Sequence, residues 1–124
     1  FVNDIVEEVD MKNRLYLFWL IGRNVYNKQK SFENVCCKYS EYYSYKYGNS
    51  NMFSRDNLKY MSNFYCRFPM YLDYLTKLSW NHYRLILNIS DNDEQYFYFR
   101  IALFCRSSVE ELRYLINNNY FYKI

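Results

Sequence analysis

The only histidine of this 124-residue chain, His82, stands three residues after Ser79 in the cluster Leu78-Ser79-Trp80-Asn81-His82. A serine and a histidine at this spacing meet on one helical turn, where an imidazole can take the proton of a nucleophilic hydroxyl. No carboxylate stands nearby in sequence to orient the imidazole. Serine is also a preferred N-cap residue. We therefore expect Ser79 to cap a helix and His82 to be a structural residue.

Two further groups of reactive residues point away from catalysis. Asp91, Asp93 and Glu94 lie close together, but no lysine follows at the spacing of a PD-(D/E)XK nuclease, so we expect them to serve a helix dipole. Neither a Gly-rich phosphate loop nor a zinc motif is present. We predict no catalytic residue, no metal ligand and no cofactor.

The cysteines favour a reducing compartment. Their positions are Cys36, Cys37, Cys66 and Cys105. They form no CxxC pair, and adjacent cysteines are poorly spaced for zinc. We expect free thiols that behave as small buried hydrophobes, and a cytoplasmic protein. No apolar run reaches the length of a membrane span.

Positive charge is concentrated in the middle of the chain. Residues 11–90 hold twelve Lys or Arg against four acidic residues, whereas the whole chain carries only +3. Seventeen tyrosines accompany this charge. A basic segment with interleaved aromatics is compatible with nucleic-acid binding. It is equally compatible with a solvated surface of mixed charge. The tyrosines reflect either a biased codon usage or a selected aromatic surface.

Apolar residues recur at three- and four-residue spacing and predict a single, mostly helical domain over residues 1–124. We expect a long first helix from about Val2 to Ile21, with Gly22 allowing another helix to approach closely. A second helix is predicted over residues 32–45, after an N-cap at Ser31. A short β-hairpin around residues 45–52 or at the C-terminus is the one strand element considered.

Later elements follow from caps and breakers. Ser54 is predicted to cap a helix that ends before Pro69, with a short helix over residues 70–75 after it. Ser79 caps a helix over residues 80–87, and Ser107 or Ser108 caps the last one. The two final helices have helix-turn-helix proportions. Residues 120–124 are expected to be extended.

Several short pieces, in order, form a signature. They are Leu17-Phe18-Trp19-Leu20-Ile21-Gly22-Arg23, Phe53-Ser54-Arg55-Asp56-Asn57-Leu58, the Ser79-Trp80-Asn81-His82 cluster and Ser108-Val109-Glu110-Glu111-Leu112. This order and spacing resembles the N-terminal domain of YhcG-like proteins, the domain of unknown function 1016. Trp19, Gly22, Ser54, Trp80 and His82 are its structural signature residues. The chain departs from the family at Leu20, where an acid is usual, and at Arg106-Ser107, where a Trp is usual.

The resemblance implies a helical, winged-helix-like module that precedes a PD-(D/E)XK nuclease-like domain in bacterial restriction or defence proteins. We expect a non-catalytic, DNA-binding accessory domain, the N-terminal part of a longer protein. The residues expected to contact DNA are Arg55, Lys59, Arg67, Arg84 and Arg113, with Asn57 at a base edge or in a helix cap. The alternative is a protein-interaction or dimerisation module, because aromatics are enriched in interface cores.

Overall fold

The described part of the chain is all helical. In the computed structural model, residues 14–28 and 32–123 are described, residues 32–36 by their backbone alone. Among these residues the chain forms helices and turns but no strand. The α-helices are α1 (Arg14–Asn27), α2 (Phe32–Tyr47), α3 (Arg55–Arg67), α4 (Trp80–Leu87), α5 (Asn92–Phe104) and α6 (Val109–Asn117). Two 3-10 helices span Asp73–Lys77 and Tyr120–Lys123. The predicted mostly helical class is confirmed.

Neither site considered for a hairpin forms strands. Residues 45–47 complete α2, and Gly48 adopts a φ of 63° in the turn that leads to α3. At the other end, residues 120–123 coil into a 3-10 helix, so the expected extended segment is wrong. The predicted start of the first helix, near Val2, and the predicted cap Ser31 lie outside the described residues.

The short helix after Pro69 begins later than predicted. Residues 70–72 are not helical, and the element is a 3-10 helix over Asp73–Lys77. The Leu75 N–H donates to the Leu72 carbonyl at 3.0 Å, and the Thr76 hydroxyl donates to the Asp73 carbonyl at 2.7 Å. Such i to i+3 bonds are typical of short connecting pieces, which are too brief to form a stable α-helix.

The chain divides into two compact units, the first ending at Tyr71 and the second beginning at Leu72. Residues 1–71 carry ten Lys or Arg and seven carboxylates, whereas residues 72–124 carry six of each. The basic character inferred for the middle of the chain therefore belongs to the first unit. The prediction of one domain over residues 1–124 stays a prediction.

In the first unit, α1 and α3 approach each other closely at Gly22. A Cβ at this position would overlap the backbone carbonyl oxygen of Met61 and stand 3.1 Å from Ser62 N. Because only glycine leaves room for the α3 backbone, the predicted close helix approach at Gly22 is confirmed. Around the crossing, Ile21 and Met61 are both fully buried, so the contact forms the centre of this unit's core.

Aromatic side chains attach the remaining parts of the first unit. Tyr43 of α2 is fully buried, and its ring centroid lies 5.7 Å from that of Phe53. The Ser40 hydroxyl donates to the Phe53 carbonyl at 2.6 Å. Trp19, almost completely buried, donates its indole N–H to the Phe68 carbonyl at 2.8 Å. Phe68 is the C-cap of α3, so Trp19 satisfies an acceptor that a helix end leaves open.

The second unit is built around Tyr83 of α4. Its ring is fully buried and its hydroxyl donates to the Leu75 carbonyl at 2.6 Å, which ties the 3-10 helix to α4. Tyr98 and Ala102 of α5 and Leu112 of α6 are fully buried as well. Each of these elements thus contributes at least one side chain to a second hydrophobic core.

Three predicted N-caps are formed. Ser54, Ser79 and Ser108 each accept a hydrogen bond from the backbone N–H three residues on. Of the two candidates for the last helix, Ser108 is the cap. For α5, Asp91 is the N-cap, and Asp93 and Glu94 occupy the first turn as the dipole argument predicts. The sequence rule succeeds here because capping depends on a few adjacent residues only.

The prediction of buried cysteines is wrong for the described thiols. Cys66 and Cys105 are exposed and Cys37 is half-buried, and all three are free. Cys66 lies on the solvent side of α3, and Cys105 caps the exposed end of α5. Small size makes cysteine common in cores, but helical position decides its burial at each site.

Candidate nucleic-acid interface

The solvent-facing side of α3 carries three of the residues expected to contact DNA. At about 100° per residue, Arg55, Lys59 and Arg67 fall within an arc of about 120° around the helix axis. Arg55 is exposed, and Lys59 and Arg67 are half-exposed. We call these three residues the α3 basic face. They extend from the first to the last turn of the helix.

The opposite side of α3 fixes this face in place. Leu58, Met61 and Phe64 are fully buried against the first unit, and the helix begins at the Ser54 cap. Close packing at Gly22 leaves little freedom for the helix to slide or rotate. A rigid helix is a suitable support for charged side chains that must meet phosphates at a fixed spacing.

Other polar groups share the exposed side. The exposed Asn63 lies between Lys59 and Arg67 in angle, and Asp56 in the first turn suits the positive end of the helix dipole. Arg55 donates from Nη1 to Cys37 Sγ of α2 at 3.2 Å. The guanidinium thus lies at the junction of α2 and α3.

Asn57 does not belong to this face. It is only 8% exposed, and its side-chain amide donates to the Met52 carbonyl at 2.6 Å. Its backbone N–H donates to Ser54 Oγ at 3.2 Å. Asn57 therefore holds the turn before α3 against the helix.

Arg84 and Arg113 lie in the second unit. Arg84 is exposed in the last turn of α4. Arg113 of α6 forms an ion pair with Glu110 at 3.0 Å, between two exposed side chains. Glu110 partly neutralises Arg113, and Glu111 adds a second carboxylate to the same turn. Arg113 therefore attracts phosphate less strongly than an arginine in a basic environment.

Sequence reasoning missed a basic residue beside the core tryptophan. The Arg23 guanidinium lies 5.3 Å from the Trp19 ring centroid, and Trp19 packs edge-on against Tyr65 at 5.3 Å. Arg23 is exposed, so the cation caps an otherwise buried ring. The sequence contains a signal for this contact. Residues four apart share a helix face, and Trp19 and Arg23 are four apart in α1.

His82 forms the second half of a capping box. The Ser79 N–H donates to His82 Nδ1 at 3.0 Å, and the His82 N–H donates to Ser79 Oγ at 3.3 Å. On its other side, Nε2 lies 2.8 Å from the Ser107 carbonyl. A carbonyl can only accept and a backbone N–H can only donate, so the proton resides on Nε2.

The geometry uses the Ser79 and His82 pair for structure. Ser79 Oγ does lie 2.8 Å from His82 Nδ1, as a nucleophile would lie from its base. That ring nitrogen already accepts the Ser79 N–H, and the other contacts a backbone carbonyl where a catalytic pair has an orienting acid. His82 joins the start of α4 to the turn between α5 and α6. Within the described residues, no three potential ligands are grouped to hold a metal ion.

The chain is thus an all-helical protein with a basic helix face and no strand in its described part. The family model of the DUF1016 N-terminal domain matches residues 3–123. The chain therefore belongs to the DUF1016 N-terminal domain family, as its signature residues predict. Comparisons with curated proteins and with solved structures gave no match. None of the described helices has both the length and the hydropathy needed to cross a bilayer.

Proposed function

We propose that the chain is a DNA-binding accessory domain without a catalytic centre of its own, and that the α3 basic face meets the phosphate backbone. The observation that carries the proposal is the placement of Arg55, Lys59 and Arg67 on one exposed helix side, within the basic first unit. Phosphate contacts of this kind supply most of non-specific DNA affinity.

DNA binding by the last two helices, α5 and α6, as a helix-turn-helix has weaker support. α6 opens with Glu110 and Glu111, which repel phosphate, and Arg113 pairs with Glu110. The proposal therefore assigns the contact to α3, and a winged-helix arrangement is no part of it. We retain from the family resemblance the proposal that a nuclease-like domain follows in the full-length protein. We also propose a cytoplasmic setting, supported by the free thiols.

Titration of fluorescent duplex DNA over salt from about 50 to about 200 mM tests the assignment. Arg55→Ala with Lys59→Ala should weaken binding and flatten the logarithmic salt slope by about two units, one for each lost phosphate contact. The matched control is Arg113→Ala with Lys123→Ala, which removes the same charge from the second unit. Equal effects of the two pairs, or no binding at low salt, would refute the role of α3.

Self-association through the second unit is the second candidate. Tyr96, Phe104, Tyr114 and Tyr122 are each at least half exposed there. Large exposed aromatics are enriched at protein interfaces. Sedimentation velocity over a concentration series separates the two candidates. A monomer that binds DNA supports the first, and a tight oligomer that ignores DNA supports the second.

A further inference from the structure

Phe104 is an unusually exposed aromatic residue in the second unit. It ends α5, and its side chain is 72% exposed. Phe104 lines two adjacent grooves, of about 580 and 530 Å³. These sizes suit a bound side chain or a small ligand.

The larger groove combines an apolar floor with a cationic edge. Leu78 and Ala102 are buried at its base, and Tyr74 and Leu103 line it beside Phe104. Lys77 and Arg106 also line this groove, and no carboxylate does. Neither cation has an ion-pair or hydrogen-bond partner within the described part of the chain. We call this surface the Phe104 groove.

The smaller groove adds a third cation on the other side of Phe104. The Arg100 guanidinium lies 6.0 Å from the Phe104 ring centroid and 5.8 Å from that of Tyr96. Asp93 is the one carboxylate that lines it. Three cations thus surround an exposed aromatic ring, in a unit whose Lys and Arg are matched in number by carboxylates.

Arg106 occupies a position where glycine is the usual residue. Its φ is 52°, and the Ser107 N–H donates back to the Ala102 carbonyl at 3.2 Å, which closes α5 in a Schellman motif. A side chain in this left-handed conformation costs stability relative to glycine. The chain carries this cost and gains a cation at the edge of the Phe104 groove.

We propose that the Phe104 groove binds an acidic peptide segment of a partner protein, with an apolar side chain of that peptide seated on Leu78, Leu103 and Phe104. Charge complementarity selects the occupant: unpartnered Lys77 and Arg106 match carboxylates, and the floor matches a Leu or Phe anchor. Single-stranded nucleic acid fits less well, because its backbone needs a continuous basic track and this unit is neutral. The proposal is independent of DNA binding by α3.

Selection from a random peptide library displayed on phage, with the intact chain immobilised, tests the proposal. The enriched peptides should be rich in Asp and Glu and contain Leu, Phe or Trp. Their affinity, measured by fluorescence anisotropy, should fall about tenfold or more in Lys77→Glu with Arg106→Glu. Lys123→Glu, an exposed charge outside the groove, is the control and should leave the affinity within about twofold.

Two further variants separate the groove from general effects on folding. Arg106→Gly should raise the melting temperature, because it relieves the left-handed strain, and still weaken the peptide. Phe104→Ala should weaken it without lowering the melting temperature, because the ring is exposed. Failure to enrich acidic peptides, equal binding by the charge-reversed pair, or capture of single-stranded oligonucleotide in place of peptide would each overturn the proposal.

Discussion

At the scale of single residues, the packing of the first unit leaves no room for a side chain at Gly22, because the α3 backbone occupies that space. Gly22→Ala should destabilise the fold by about 3 kcal/mol or more, because helices α1 and α3 must separate to admit the methyl group. Urea denaturation followed by circular dichroism measures the loss.

Gly48→Ala is the matched control for Gly22. A Cβ there meets nothing within 4 Å, so the variant carries only the cost of its φ of 63°, about 1 to 2 kcal/mol. If Gly22→Ala proved no more harmful than Gly48→Ala, the close contact at Gly22 would not be a determinant of stability.

His82 is predicted to act as a structural connector. His82→Ala removes the hydrogen bond from Nε2 to the Ser107 carbonyl and the acceptor for the Ser79 N–H, and should cost about 1 to 3 kcal/mol. The exposed neighbour Asn81 provides the control, since Asn81→Ala should change stability by less than about 0.5 kcal/mol. A His82→Ala protein that melts normally but loses an activity would reverse this interpretation.

Residue roles were predictable from sequence where they depend on near neighbours. The caps at Ser54, Ser79 and Ser108 follow from short-range hydrogen bonding, and Gly22 was recognised by its lack of a side chain. The exposure of Cys66 and the burial of Asn57 were not predictable, because they depend on which side of α3 faces a helix distant in sequence.

At the scale of elements, the capping box of α6 should make stability depend on pH. The Ser108 backbone N–H donates to the Glu111 carboxylate. This hydrogen bond, and a smaller effect of a hydrogen bond between the Ser108 side chain and the same carboxylate, lower the pKa of Glu111 below its ordinary value of 4.5. Because the pKa is lower in the folded state, the ionised Glu111 stabilises the folded protein at pH values above the ordinary pKa. The stabilisation is lost as the pH falls through the folded-state pKa.

Glu111→Gln tests this dependence. Glutamine keeps an acceptor for the Ser108 N–H but has no charge to titrate. Stability of the parent chain and the variant should therefore differ near neutral pH and converge as the pH falls below the ordinary glutamate pKa of 4.5, as measured by denaturant unfolding. Parallel stability curves across this range would show that the Glu111 carboxylate does not contribute.

Element boundaries also show where prediction stops. The bounds of α4 agree with the prediction because Ser79 marks one end and the helix is short. The helix expected over residues 70–75 is displaced, because burial of Leu75 and the bond from Tyr83 to its carbonyl fix that segment, and both are tertiary contacts. The grouping of Arg55, Lys59 and Arg67 was predictable only once α3 was assigned.

On the scale of the whole molecule, the division at residues 71 and 72 separates two kinds of surface. The first unit is basic and carries the α3 basic face, and the second is neutral and carries the Phe104 groove. The excess of positive charge in residues 11–90 can be read from the sequence. The division into two units cannot, because the boundary of a unit depends on which residues pack together. The two proposed binding functions can therefore be tested separately.

Backbone amide NMR shifts of the intact chain should distinguish the two surfaces. Duplex DNA should perturb α3, including Arg55, Lys59 and Arg67, and leave the signals of Lys77 and Phe104 unchanged. A peptide enriched on the Phe104 groove should do the reverse. Raising the salt should abolish the DNA shifts first, because they depend on counterion release, whereas the peptide also buries apolar surface. DNA that moved both sets of signals equally would mean that the charge difference between the units does not direct binding.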